Sequence, residues 1–221
     1  MNRVLLVEDH ASYCEMLAFL FDGESEFKVV AQAGSLAEAR SMLEGIDLAI
    51  VDLELPDGDG TDLIDALRTV NPGVAVLVVT ANTEREAHAR AVQVGAAGVL
   101  HKSVHIKDII GAARRVVAGE IILSADKALE LLRVSGRSRE LGYKAWQAIE
   151  QLTPREQEIL QALAEGLSDQ EIAERLHVST GTVRNHFVNI FKKLGVHSRL
   201  QALVFAVRYG LVEISRAPDP Y

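Results

Sequence analysis

A single cysteine, Cys14, is all that the 221-residue sequence contains. That excludes a disulfide framework and a metal site built on thiolates. No run approaches the roughly 20 consecutive apolar residues that span a bilayer, although apolar residues make up 48% of the chain. No basic stretch leading into an apolar leader opens the sequence, so no signal peptide is expected. These absences predict a cytoplasmic protein with no membrane partner. The first strand-like run is not followed by a GxGxxG loop, which argues against a dinucleotide site. The last absence is local. Residues 176–212 hold no acid, yet they carry Arg184, Lys192, Lys193, Arg199 and Arg208, with Arg175 at their edge.

What is present falls into two halves. Residues 1–120 carry 19 acids against 10 Lys and Arg, a net of −9, and the remainder carries 12 against 13, a net of +1. Such a split predicts an acidic unit joined to one that meets a polyanion. In the first half, five apolar runs of strand length (4–7, 27–31, 48–51, 74–79 and 98–101) alternate with helical patterns. The helices are expected over about 11–21, 36–44, 60–70, 84–94 and 106–118. Ser35 with Glu38 and Thr83 with Glu86 have capping-box spacing. Five strands alternating with five helices predict the α/β class, a doubly wound five-stranded parallel sheet.

Residues 121–151 read as a linker, partly helical over 124–132 and 143–151, with a flexible break at 135–139. Trp146, the only tryptophan, is expected to pack against a domain face. Residues 152–215 form a small all-α domain. Thr153-Pro154-Arg155-Glu156 and Ser168-Asp169-Gln170-Glu171 each open a helix. A tight turn at 178–181 leads to a helix over about 182–194, and another covers about 198–209. A short helix, a turn, then a helix bearing Arg184, Asn185 and His186 in its first turns is a helix-turn-helix arrangement. The acid-free, basic character of that stretch makes double-stranded DNA the expected partner rather than a generic bundle face.

The strand ends carry the remaining signal. Val4–Val7 ends in Glu8 and Asp9, 48–51 in Asp52, 74–79 in Thr80 and 98–101 in Lys102. Open α/β sheets place ligands at the carboxyl ends of their strands. An isolated Asp there would merely cap a turn, but three acids, a hydroxyl and an amine would converge on one rim. An all-oxygen set suits a hard ion such as Mg²⁺. With Lys102 also present to neutralise charge, Asp52 becomes a candidate nucleophile for an aspartyl phosphate, and Thr80 a donor to its oxygens.

On these residues the first half resembles the receiver domain, a flavodoxin-like fold, of two-component response regulators. Glu8-Asp9, Asp52, Thr80 and Lys102 match the acidic pair, phosphoacceptor, switch hydroxyl and lysine of that family. The stretch from Leu152 through Gly181-Thr182-Val183-Arg184-Asn185-His186 to Lys192-Lys193-Leu194-Gly195 resembles the LuxR-type helix-turn-helix, in the NarL/FixJ order. The resemblance implies a receiver over 1–120, a linker over 121–151 and a DNA-binding domain over 152–215. It further implies Mg²⁺ held by Asp9, Asp52 and the Glu54 backbone carbonyl, with Glu8 acting through water. A sensor histidine kinase would be the phosphodonor, and the active form a homodimer. DNA contacts are expected from Thr182, Arg184, Asn185, Val188, Lys192 and Lys193, with the lysine pair on backbone phosphates.

Three departures from the pattern matter. Val99 stands where receivers usually carry an aromatic, Ser103 where many carry proline, and Glu54 and Asn82 occupy positions expected to tune phosphoryl lifetime. His101 shares the Val99 face and is one candidate for the missing ring; the other route runs from Thr80 through the loop that follows it. Two other functions compete: a receiver working unphosphorylated through protein contacts, and a ligand-sensing LuxR-type regulator. A haloacid-dehalogenase-like phosphatase is disfavoured, because Asp52-Leu53-Glu54 follows the third strand rather than the first.

Overall fold

A computed structural model of the chain describes residues 1–120, 122 and 141–212. One compact unit ends at Ile122 and the rest of the chain forms a second. In the first, the elements are β1 (Asn2–Val7), α1 (Ala11–Asp22), β2 (Phe27–Ala33), α2 (Leu36–Ala39) and β3 (Leu48–Val51). A short antiparallel hairpin follows, β4 (Glu54–Leu55) with β5 (Gly58–Asp59). Then come α3 (Thr61–Val70), β6 (Ala75–Thr80), α4 (Arg85–Gln93), β7 (Gly98–His101) and α5 (Ile106–Val117).

Side-chain alternation along the strands feeds two apolar layers. β1 sends Leu5 and Val7 to one face of the sheet and Val4 and Leu6 to the other, the period of two of an extended chain. β3 is buried at every residue, as a strand covered on both faces must be. Leu63, Ile64 and Leu67 of α3, with Ala87 and Ala91 of α4, close the first layer. Leu17 and Phe21 of α1, with Ile109 and Ala113 of α5, close the second. Fully burying one such Leu or Ile contributes about 1.5–3 kcal/mol, so the sheet centre anchors the unit. The strand order is β2-β1-β3-β6-β7, all parallel. The chain winds outward in both directions from β1 and β3, and the crevice at their carboxyl ends is where such sheets bind ligands. This is the doubly wound five-stranded parallel sheet expected from the sequence.

The loop after β3 is drawn tightly back on itself. Gly60 N donates to the Leu53 carbonyl at 2.9 Å. A Cβ at residue 60 would lie 2.0 Å from the Asp52 carbonyl oxygen, so only glycine fits. Asp57 accepts from Leu36 N at 2.8 Å and Ala37 N at 2.9 Å, capping α2 from that loop. Those backbone hydrogen bonds hold the Asp57 carboxyl below the usual carboxylate range.

Two helices in this unit start or stop away from their expected bounds. α2 is a single turn. Ser35 accepts from Glu38 N, but the Glu38 carboxylate turns to Gly34 N at 2.7 Å. Ser41 Oγ then takes the Glu38 carbonyl at 2.7 Å, which ends the helix. α4 begins at Arg85, and its N-cap Glu84 caps with no side chain. Asn82 Oδ1 accepts from Glu84 N at 2.7 Å, so an Asn turn replaces the capping box expected at Thr83.

The second unit holds α6 (Leu141–Glu150), α7 (Pro154–Ala164), α8 (Asp169–Leu176), α9 (Thr180–Leu194) and α10 (Arg199–Arg208). Both expected capping boxes, at Thr153 and Ser168, are formed in full. α8 ends on His177 in the left-handed conformation, φ 54°. Ser179 then caps α9 by accepting from Thr182 N at 3.0 Å, so α9 starts two residues before Thr182, where the sequence put it. Ile159, Leu163, Ile172, Val183, Phe187, Ile190 and Leu203 are buried between the helices. The expected helix over 124–132, the break at 135–139 and the Trp146 side chain lie outside the described residues.

Candidate functional site

β1 and β3 run side by side, pairing Val7 with Val51, so the residues just beyond them, Glu8 and Asp52, meet. Both are buried, Asp52 to 3% exposure. Lys102, one residue past β7, reaches across the sheet end. Its Nζ donates to Glu8 Oε1 at 2.8 Å and to Asp52 Oδ2 at 2.7 Å. Burial alone would lower the Lys102 pKa, but the hydrogen bonds to Asp52 and Glu8 outweigh it and hold it above the usual lysine value. The amine therefore stays charged through the physiological range.

Asp9 lies at the rim and contacts His10 Nδ1 at 2.8 Å. The same ring nitrogen is 3.0 Å from Glu8 Oε1, and one ligand atom each from Glu8, Asp9 and His10 lie within 4.8 Å of one another. Among the described residues, Asp52 Oδ1 accepts only a long bond from Glu54 N, 3.3 Å. The Glu54 carboxylate points instead to Asn82 Nδ2 at 3.1 Å. Thr80 is fully buried; its Oγ1 accepts from Asn82 N at 3.2 Å, and its carbonyl accepts from Lys102 N at 2.8 Å. Three carboxylates against one ammonium leave a formal charge of −2, and apart from the His10 imidazole the donors are hard oxygens. Both features fit a divalent cation of the Mg²⁺ type.

Val99 packs into the layer under α3 and α4. His101, two residues on, sets Nε2 on the Ala81 carbonyl at 3.2 Å and Nδ1 on Ser103 Oγ at 2.6 Å. The two candidate switching routes thus touch: the ring is bonded to the loop that begins at Thr80.

In the second unit, α9 buries Val183, Phe187, Ile190 and Leu194 and turns its other face to solvent. That exposed face carries Arg184, Asn185, Val188, Asn189 and Lys192, with Thr182 half-buried beside them. Val188 is 62% exposed, unusual for an apolar side chain in mid-helix. Lys193 is placed differently. Its Nζ binds both oxygens of the buried Glu156 carboxylate, at 3.0 and 2.7 Å, instead of standing free for a phosphate.

Residues 4–114 match the response regulator receiver domain, and residues 150–206 match the bacterial regulatory proteins of the luxR family. The chain is 32% identical over 223 residues to the DNA-binding transcriptional activator DevR/DosR of Mycobacterium tuberculosis, covering 100% of this chain and 98% of that one. It is also 32% identical over 219 residues to the transcriptional regulatory protein LnrK of Bacillus subtilis, covering 96% and 99%. The protein belongs to the LuxR-type response regulators. Among solved structures, a LuxR-family two-component response regulator from Aurantimonas superposes with a TM-score of 0.54 at 25% identity, covering 62% of this chain and 99% of that one. The receiver domain of a putative response regulator NarL from Mycobacterium tuberculosis gives 0.50 at 28%, over 53% and 97%.

Beside the candidate residues of this response regulator lie others that sequence reasoning passed over. His10 adjoins the acidic pair directly, and adjacency was its signal. Tyr13 lies in the first turn of α1. Its ring centroid is 5.2 Å from Lys102 Nζ. Burial raises its phenol pKa; Lys102 opposes the rise, and Glu8 and Asp52 add to it. Asn189, four residues after Asn185, follows from helical spacing on the same exposed stripe. No described helix is long and apolar enough to cross a membrane.

Proposed function

We propose that Asp52 accepts a phosphoryl group from a sensor histidine kinase, and that this modification controls binding of the α9 face to double-stranded DNA. The observation that carries the reading is Lys102 Nζ shared between Glu8 and Asp52 at the ends of β1, β3 and β7. An Asp52 oxygen forms a bond to phosphorus as the donor's bond to phosphorus breaks, the electron pair leaving with the donor imidazole. Asp52 Oδ1, the less engaged oxygen, is the candidate nucleophile. Lys102 holds positive charge where the phosphoryl oxygens arrive. Asp9, Asp52 and the Glu54 carbonyl would hold Mg²⁺, with Glu8 acting through water. The ion would supply charge neutralisation on the transferring group. Once phosphorylated, Asp52 offers charged phosphoryl oxygens to which the Thr80 hydroxyl can donate, whereas at rest its Oγ1 accepts from Asn82 N. Movement of Thr80 would pull the loop that His101 grips.

On DNA, Arg184, Asn185, Val188 and Thr182 face base edges or adjacent phosphates, and Lys192 a backbone phosphate. The reading keeps the domain bounds of 1–120 and 152–215, joined by 121–151. An active homodimer would place two such helices on successive half-sites. Acetyl phosphate with Mg²⁺ should add the mass of one phosphoryl group to the protein and none to Asp52→Asn. Equal labelling of the two proteins would refute the assignment.

A further inference from the structure

Asp169, the first residue of α8, is buried and holds arginines from two other helices. Arg199 of α10 engages both carboxylate oxygens, with Nη1 on Oδ1 and Nη2 on Oδ2, the latter at 2.9 Å. The Arg199 guanidinium also lies 3.9 Å from the centroid of the Phe187 ring, a core residue of α9. The carboxylate is thus fixed by an arginine that is itself backed by the core. Its Oδ2 additionally accepts from Arg184 Nε at 3.3 Å, although the Arg184 side chain is 63% exposed.

An exposed ion pair of two mobile side chains contributes little to stability. Here only one partner is mobile, and the contact leaves a defined set of donors free. With Nε taken, Arg184 keeps its four Nη hydrogens. Its Nη1 and Nη2 form the pair that meets O6 and N7 of guanine in the major groove. A guanidinium oriented before DNA arrives loses less side-chain entropy on binding.

We propose that Asp169 is a positioning residue that aims Arg184 end-on at a guanine, so that each half-site bound by this protein contains one guanine read through this pair. The inference rests on the exposed stripe of α9 being the DNA-reading face.

Competition with randomised duplexes at one salt concentration would measure the base preference of the full chain at every position. The variants are Arg184→Ala, Arg184→Lys, Asn185→Ala, Val188→Ala, Asp169→Asn and the double variant Asp169→Asn with Arg184→Ala. The unaltered protein should favour guanine at one position per half-site by roughly ten- to a hundred-fold, the worth of one bidentate pair. Arg184→Ala should abolish that preference. Asp169→Asn should reduce it several-fold relative to affinity for non-specific DNA, and should add nothing in the Arg184→Ala background. Arg184→Lys, which keeps the charge but has no Nε to be held, should also reduce it; being an exposed substitution, it tests the idea even if Asp169→Asn fails to fold. Full guanine preference in Arg184→Lys or in folded Asp169→Asn would overturn the positioning role. Guanine preference intact in Arg184→Ala, with Asn185→Ala or Val188→Ala altering other positions, would overturn the inference but keep the DNA face. If no substitution in the stripe changed any preference, the DNA face itself would fall, and the inference with it.

Discussion

At the scale of single residues, Tyr13 presents a cost without a visible return. Among the described residues, its hydroxyl is the buried side-chain polar atom that lacks a hydrogen-bond partner. Such a group ordinarily costs about 1–3 kcal/mol. Tyr13→Phe keeps the ring beside Lys102 and removes the orphan, so urea unfolding should show a stability gain of about 1 kcal/mol. A loss of that size would mean the hydroxyl has a partner in solution. Asp52 was legible from the sequence because an apolar run ending in an acid is a local pattern, repeated at Glu8. Asp57 was not: it lies in the same acid-rich loop, yet it caps a helix begun 21 residues earlier, and only the folded chain brings the two together.

Elements divide the same way. The caps at Thr153 and Ser168 depend on residues three apart, so both could be read directly and both are formed. α9 shows the limit of that reading. Lys192 and Lys193 are neighbours, but successive helical positions point about 100° apart. Lys192 is exposed while Lys193 turns inward to Glu156, 37 residues away. The Glu156 carboxyl pays a desolvation penalty that would raise its pKa; Lys193 and Thr153 outweigh it and hold the carboxyl below the usual range. Its stabilising share is therefore present above the ordinary Glu pKa and fades as pH falls through the depressed folded value. Lys193→Ala leaves that buried carboxylate with its Thr153 hydrogen bonds but without its cation and should cost about 1–3 kcal/mol, seen as a lower melting temperature at pH 7, an effect that shrinks in acid. Lys192→Ala should leave melting unchanged and flatten the salt dependence of DNA binding by about one unit. If the two effects were exchanged, the assignment of both lysines would be wrong.

Across the whole molecule, the sequence already separates an acidic half from one with a small net positive charge, and the chain divides into two compact units. The fold class was readable because strand and helix periods alternate without interruption over the first half. The link proposed between Asp52 and the DNA-reading face was not, since no local pattern of residues encodes it. The central claim is that charge added at Asp52 changes DNA affinity. It is tested most directly by titrating a selected duplex with the full chain, with and without Mg²⁺ and beryllofluoride as a phosphoryl mimic, and repeating both titrations on Asp52→Asn. A coupling of 1–3 kcal/mol is typical of such linkage. The account accordingly predicts that the mimic tightens binding by roughly ten-fold or more in the unaltered protein and has no effect on Asp52→Asn. An unchanged affinity with Asp52 saturated by the mimic would contradict it, and would identify a receiver that works unphosphorylated through protein contacts.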